Sequence, residues 1–166
     1  MKKVFLILVV AFMTLFAKET FSQNLMLNAN THETTVERCA GYFYDNSSTG
    51  NYATSIDRWV TICPPASSAN TRTALTFEEF NIDPSDTVFI YQGVGINAPI
   101  MTTGNNIPYF QNQDLQGLTI MPSLMMNSPC LTLRLVSNGS ATASGWKAKI
   151  ECARDCQFPE ASLDTF

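Results

Sequence analysis

Histidine is almost missing from the 166 residues: His32 is the only one, and it lies in a polar stretch near the start. A Ser–His or Cys–His pair therefore has little to build on. The five cysteines also lack the imidazole companions of most zinc sites. No G-x-S-x-G occurs. Only 14% of residues are charged and the formal net charge is −4. No basic excess exists to hold nucleic acid or an anionic membrane surface. After Ala17 no apolar run reaches membrane-spanning length. Apolar residues do not recur at helical spacing, and no repeat stands out at solenoid periods. Without helical segments between strands, a doubly wound parallel sheet is excluded.

The start of the chain reads as an export signal. Lys2 and Lys3 precede an apolar run, Val4 to Ala17, and a short polar tail ends in small residues. This is the pattern of a secretory signal peptide over residues 1–22, with cleavage before Gln23. The remaining chain then carries seven basic and 13 acidic residues, a net charge of −6. All five cysteines lie in that part, which suits an oxidising compartment.

What is present is strand after strand. Residues 23–35 form a polar leader or a short edge strand. Strands are predicted over Val36–Tyr44, Arg58–Cys63, Thr73–Phe80, Thr87–Tyr91 and Leu118–Met121, with turn-forming clusters between them. Gly93-x-Gly95-x-x-Ala98 formally fits a dinucleotide fingerprint. Pro99 and a polar loop follow it, however, where that mechanism needs a helix. In CLTLRLVSNGSATASGWKAKIEC, Cys130 to Cys152, Leu131, Leu133 and Leu135 alternate with polar or smaller neighbours. Trp146, Ala148 and Ile150 do the same. Two half-buried strands separated by a polar loop follow from that period of two. Five cysteines allow fifteen ways to form two bridges. Spacing favours Cys39 with Cys63, and Cys130 with Cys152, each joining neighbours across one loop.

Taken in order, CAGYFYD, TICPP, LTFEEFNID, SDTVFIYQG and CLTLRLVSNGSATASGWKAKIEC resemble a CUB domain of the kind found in secreted bacterial multidomain proteins. The resemblance covers about residues 36–152. It implies an all-β, jelly-roll-like sandwich of about eight to ten antiparallel strands, and extracellular protein or glycan binding without catalysis. Many members of that family bind calcium through three acids. Asp83 and Asp86 match two of the positions and Asn138 stands at the third, with the Ser140 hydroxyl nearby. The alternative is that both acids simply shape the NIDPSD turn. Among the aromatic residues, Tyr52, Tyr109 and Phe110 fall in loops and are the candidates for stacking on sugar rings. Trp59 and Tyr91 fall within strands and are assigned to the core.

Residues 153–166 read as a linker or the start of a following segment. Cys156 opens CQFPEASLDTF, which resembles the segment that leads into a further domain in such proteins. The chain is then the first part of a longer surface or secreted protein, with Cys156 pairing beyond residue 166 or between chains. The reading is a non-catalytic binding module. A structural spacer and an accessory domain of an exported protease are its rivals.

Overall fold

The computed structural model describes residues 24–154. The expected signal peptide, its cleavage point before Gln23, and Cys156 with its tail lie outside the described residues. Among the described residues nine strands form two sheets, with no helix. They are β1 (Leu25–Met26), β2 (Thr34–Glu37), β3 (Tyr42–Tyr44), β4 (Asp57–Cys63), β5 (Thr71–Asn81), β6 (Thr87–Tyr91), β7 (Thr119–Ile120), β8 (Leu131–Val136) and β9 (Gly145–Arg154). The first sheet runs β1-β3-β9-β5-β7 and the second β2-β4-β8-β6. Odd strands fill one sheet and even strands the other. Every connection therefore crosses the sandwich, and no two consecutive strands pair.

That alternation corrects the sequence reading at three points. First, β8 and β9 are half-buried strands as expected, but they lie in opposite sheets. Leu131, Leu133 and Leu135 enter the core from one side; Trp146, Ala148 and Ile150 enter it from the other. A period of two reports one buried face and says nothing of which sheet supplies it. Second, the bridges are Cys39–Cys152 and Cys63–Cys130, not the sequence neighbours. Cys63 and Cys130 continue the antiparallel β4–β8 register one step past Ile62 and Leu131. Cys39 likewise continues the β3–β9 register, three residues back from the Tyr42–Lys149 pair. Third, of the two readings of residues 23–35, leader or short edge strand, the edge strand holds, and two strands rather than one begin there. Leu25 and Leu27 are buried in the core, and β1 and β2 add parallel edges to otherwise antiparallel sheets. Predicted Val36–Tyr44 is two strands in different sheets, broken around Cys39 and Gly41.

The core is aromatic on one side and aliphatic on the other. Phe43 packs edge-on to Trp146 at 5.4 Å, and Phe77 edge-on to Phe80 at 5.3 Å. Leu75, Phe77 and Phe80 all face inward, although strict alternation would send Phe80 outward. A bulge between Phe77 and Glu79 supplies the missing step, leaving Glu78 as the extra residue. Val60, Ile62, Val88 and Ile90 complete the opposite wall. Fully burying side chains of this size stabilises by about 1.5–3 kcal/mol each. The Gly93–Gly95 turn folds onto the outside of the second sheet. Gly95 N donates to the hydroxyls of Thr61 (3.2 Å) and Thr132 (2.9 Å), and Thr132 donates to Gly93 O (2.7 Å). These bonds satisfy two buried threonines and give the glycines a structural purpose.

Candidate functional site

Three loops meet at one end of the sandwich, and Asp86 sits between them, 1% exposed. Its carboxyl accepts from Tyr52 Oη at 2.7 Å and from Asn138 N at 2.7 Å. The Tyr52 hydroxyl in turn accepts from Asp83 N at 3.0 Å. Burial, and then the Asp86 carboxyl beside it, push the Tyr52 hydroxyl upward, so it stays a donor. Ser55 N donates to Asn138 O, and Tyr52 N to Ala143 O, which stitch the β3–β4 loop to the β8–β9 loop. Asp83 turns back on its own loop: its Oδ1 accepts from Ser85 N (2.9 Å) and Ser85 Oγ (2.6 Å). Asn138 Oδ1 is occupied in the same way by Ser140 N and Ser140 Oγ. The four residues assigned to a cation are thus close in space, with their oxygens turned to separate tasks. Tyr52, a loop aromatic by sequence, is a buried member of this network.

A second buried acid pins the same end to the other sheet. Asp45 Oδ2 accepts from Trp146 N at 3.0 Å, and Oδ1 from Ser47 N. Gly145 makes room for it: φ is +72°, and a Cβ there would fall inside the Asp45 carboxyl group. Burial pushes the Asp45 carboxyl up to about 6, against the lowering effect of those two N–H donors. Between about 4 and about 6 the folded protein therefore holds a proton that the unfolded chain has released. The Asp45 contribution to stability is greatest below that window and falls as pH rises through it. Arg134 holds Asp57 below the usual carboxylate range, and that pair acts in the opposite sense. The Asp45 effect is isolated by difference. Relative to Asp45→Asn, the wild-type chain is expected to lose about 2–3 kcal/mol between pH 4 and pH 7. Urea unfolding of both proteins at the two pH values measures it.

The outer face of the second sheet carries a row of large side chains. Trp59 stands opposite Arg134, and Arg134 opposite Phe89. His32 packs edge-on to Trp59 at 6.2 Å, and its Nδ1 accepts from Trp59 N at 3.2 Å. Tyr109 packs edge-on to Phe89 at 6.4 Å. Arg134 lies 5.8 Å from the Phe89 ring centre and forks onto Asp57 at 2.7 and 2.6 Å. His32, Trp59, Arg134, Phe89 and Tyr109 are all half-buried. Trp59 is therefore not the core residue expected from its place in a strand. Val60 and Ile62 take the inward positions, and the alternation in RWVTIC carried that signal. His32 is structural rather than merely solvated. Phe110, expected in a loop, is 4% exposed and packs in the core. It borders an apolar cleft of about 290 Å³ with Met101, Leu115 and Leu118. Tyr91 is buried as expected.

No family model and no curated protein matches the chain in sequence. Solved structures do match it in shape. The full extracellular region of zebrafish Gpr126/Adgrg6 superposes with a TM-score of 0.56 at 17% identity, over 73% of this chain and 14% of that one. The CUB1-EGF-CUB2 region of human MASP-1/3 gives 0.52 at 16% identity, over 80% of this chain and 42% of that one. The fold is CUB-like. The calcium-bound CUB2 domain of MASP-1 matches at 0.48 and 17% identity, over 71% of this chain and 96% of that one.

The CUB-like fold raises calcium, and the donor set here does not fit it. Calcium takes six to eight oxygens. Asp86 instead meets a phenol O–H and a backbone N–H, and further N–H groups line the loops around it. Among the described residues no group of three or more His, Cys, Asp or Glu is arranged to hold a metal. Millimolar calcium is expected to leave the thermal midpoint of this CUB-like domain unchanged. A rise that disappears in Asp86→Ala would contradict this.

Proposed function

We propose that the chain is an exported, non-catalytic recognition module that takes a protein partner on the outer face of its four-stranded sheet. The observation that carries this reading is the row His32–Trp59–Arg134–Phe89–Tyr109. Trp, Tyr and Arg are the residue types that dominate binding energy at protein interfaces. Here Trp59, Arg134 and Phe89 stand in register on neighbouring strands, Tyr109 packs on Phe89 from a loop, and the Asp57 fork fixes the arginine, so little side-chain freedom is lost on binding. The signal-like start, the two disulfides and the CUB-like fold support an extracellular setting. The resemblance to bacterial multidomain proteins supports a place within a longer chain.

An extracellular protein and glycan array probed with the oxidised chain tests the reading. Trp59→Ala should weaken binding by at least about 2 kcal/mol, some thirtyfold, while leaving the fold intact. An array without ligands, or ligands indifferent to Trp59→Ala and Arg134→Ala, would favour a structural spacer.

A further inference from the structure

The outer face of the other sheet holds a polar pocket of about 340 Å³ at the same end of the sandwich. Its floor is a cross-strand row: Tyr44 opposite Lys147, and Lys147 opposite Glu79. Hydroxyls complete the wall, from Ser48 and Thr49 on the β3–β4 loop and from Ser144 just before β9. The loop is set in place before any ligand arrives. Asp45 accepts from Ser47 N, Ser47 Oγ donates to Thr49 O at 2.7 Å, and Asn51 Nδ2 donates to Thr142 O at 3.0 Å. Preorganisation of this kind lowers the entropy lost on binding.

The chemistry of the lining selects the ligand. The volume lies at the small end of ligand sites, roughly 300–1,000 Å³, which suits one ring-sized group. Lys147 is already paired with Glu78 at 2.7 Å, and Glu79 adds a second acid. An anion would meet the Glu79 carboxylate beside an ammonium that Glu78 already neutralises. A divalent cation would find one carboxylate, Glu79, beside that ammonium. A neutral ligand rich in hydroxyls can donate to Glu79, accept from Lys147 and exchange hydrogen bonds with the serine and threonine hydroxyls. Its apolar ring face can lie on Tyr44, which is half-buried.

We propose that this pocket is a subsite for one pyranose ring of a neutral glycan, held by Tyr44, Glu79, Ser144 and Lys147. The site is on the sheet opposite the Trp59–Arg134 row and goes beyond the protein-recognition reading. The test is NMR titration of the isotope-labelled, oxidised chain with methyl glucoside, methyl galactoside, methyl mannoside and N-acetylglucosamine in turn. At least one sugar should shift the amide signals of Ser48, Thr49, Ser144 and Lys147 saturably. Exposed Glu79 can be changed without disturbing the core, and Glu79→Gln should raise that Kd about tenfold, the loss of one charge-assisted hydrogen bond. Trp59→Ala should leave it unchanged. Silence with all four sugars, or shifts indifferent to Glu79→Gln, would overturn the proposal. Silence with sugars beside Trp59-dependent array binding would remove this subsite and leave the protein-recognition reading standing.

Discussion

Gly145→Ala is expected to destabilise the domain by roughly 3–5 kcal/mol, a large part of the 5–15 kcal/mol typical of a domain. Two separate effects add. The residue sits at φ +72°, where an L side chain costs about 1–2 kcal/mol. The new methyl group would also occupy the space of the Asp45 carboxyl, so Asp45 must leave Trp146 N. Breaking that charge-assisted hydrogen bond costs about another 1.5–3 kcal/mol. The two effects separate in a double variant. Asp45→Ala with Gly145→Ala removes the collision, keeps the backbone strain and loses the Trp146 N bond only once, so its loss should be smaller than the sum of the two single losses. Urea midpoints of the four proteins measure this. Additive losses would mean that Gly145 and Asp45 do not touch.

Removing the Cys39–Cys152 bridge as a serine pair is the second large loss expected. It closes 113 residues, and the Cys63–Cys130 bridge closes 67. In the chain-entropy model, loops of that size restrict the unfolded chain by about 4–5 kcal/mol each. Bridges between sequence neighbours would close only short loops and give about 3 kcal/mol each. The long bridge also has a mechanical role. Cys39 lies where the chain crosses from β2 in one sheet to β3 in the other, and Cys152 lies on β9 beside β3. The bridge therefore ties that crossing point to the longest ladder of the fold, β5 with β9. Chemical unfolding of the two serine pairs should show losses of similar size. An unchanged midpoint for the Cys39→Ser, Cys152→Ser protein would contradict the role given to that bridge.

Strands were easier to read than their neighbours. Thr87–Tyr91 matches β6 end to end, and Arg58–Cys63 misses β4 by one residue, because β-branched and aromatic runs bounded by Pro, Gly and Asp leave few alternatives. The pairing was not legible. Alternation in Leu131–Val136 and in Trp146–Ile150 is equally satisfied by a hairpin and by two strands facing each other across a core. The short β1 was undecided for another reason: Leu25, Met26 and Leu27 are three apolar residues in a polar stretch, which a leader or an edge strand fits equally, and tertiary burial decides for the strand.

The candidate sites show the same limit. Asp83, Asp86 and Asn138 lie on neighbouring loops, but the direction of each oxygen depends on partners such as Tyr52, Ser85 and Ser140, which sequence spacing does not fix. Tyr52 and Phe110 looked exposed because they lie outside regular strands. The loops that carry them cap the sandwich, so their rings point inward. Trp59 looked buried because it lies within a strand, yet its parity puts it on the outer face. The polar pocket had no sequence signal at all. Tyr44, Glu79 and Lys147 come from three strands far apart in the chain, and only the β3–β9–β5 register unites them.

Trypsin offers the most direct check on the strand arrangement. Cleavage after Arg38, Arg58, Arg72, Arg134, Lys149 and Arg154 puts each of the five cysteines on its own peptide. Mass spectrometry of the unreduced digest should find the peptide beginning at Cys39 joined to Ile150–Arg154, and the Cys63 peptide joined to the Cys130 peptide. A bond from Cys39 to Cys63, or from Cys130 to Cys152, would mean that sequence neighbours are stapled together and that the alternation of strands between two sheets is wrong.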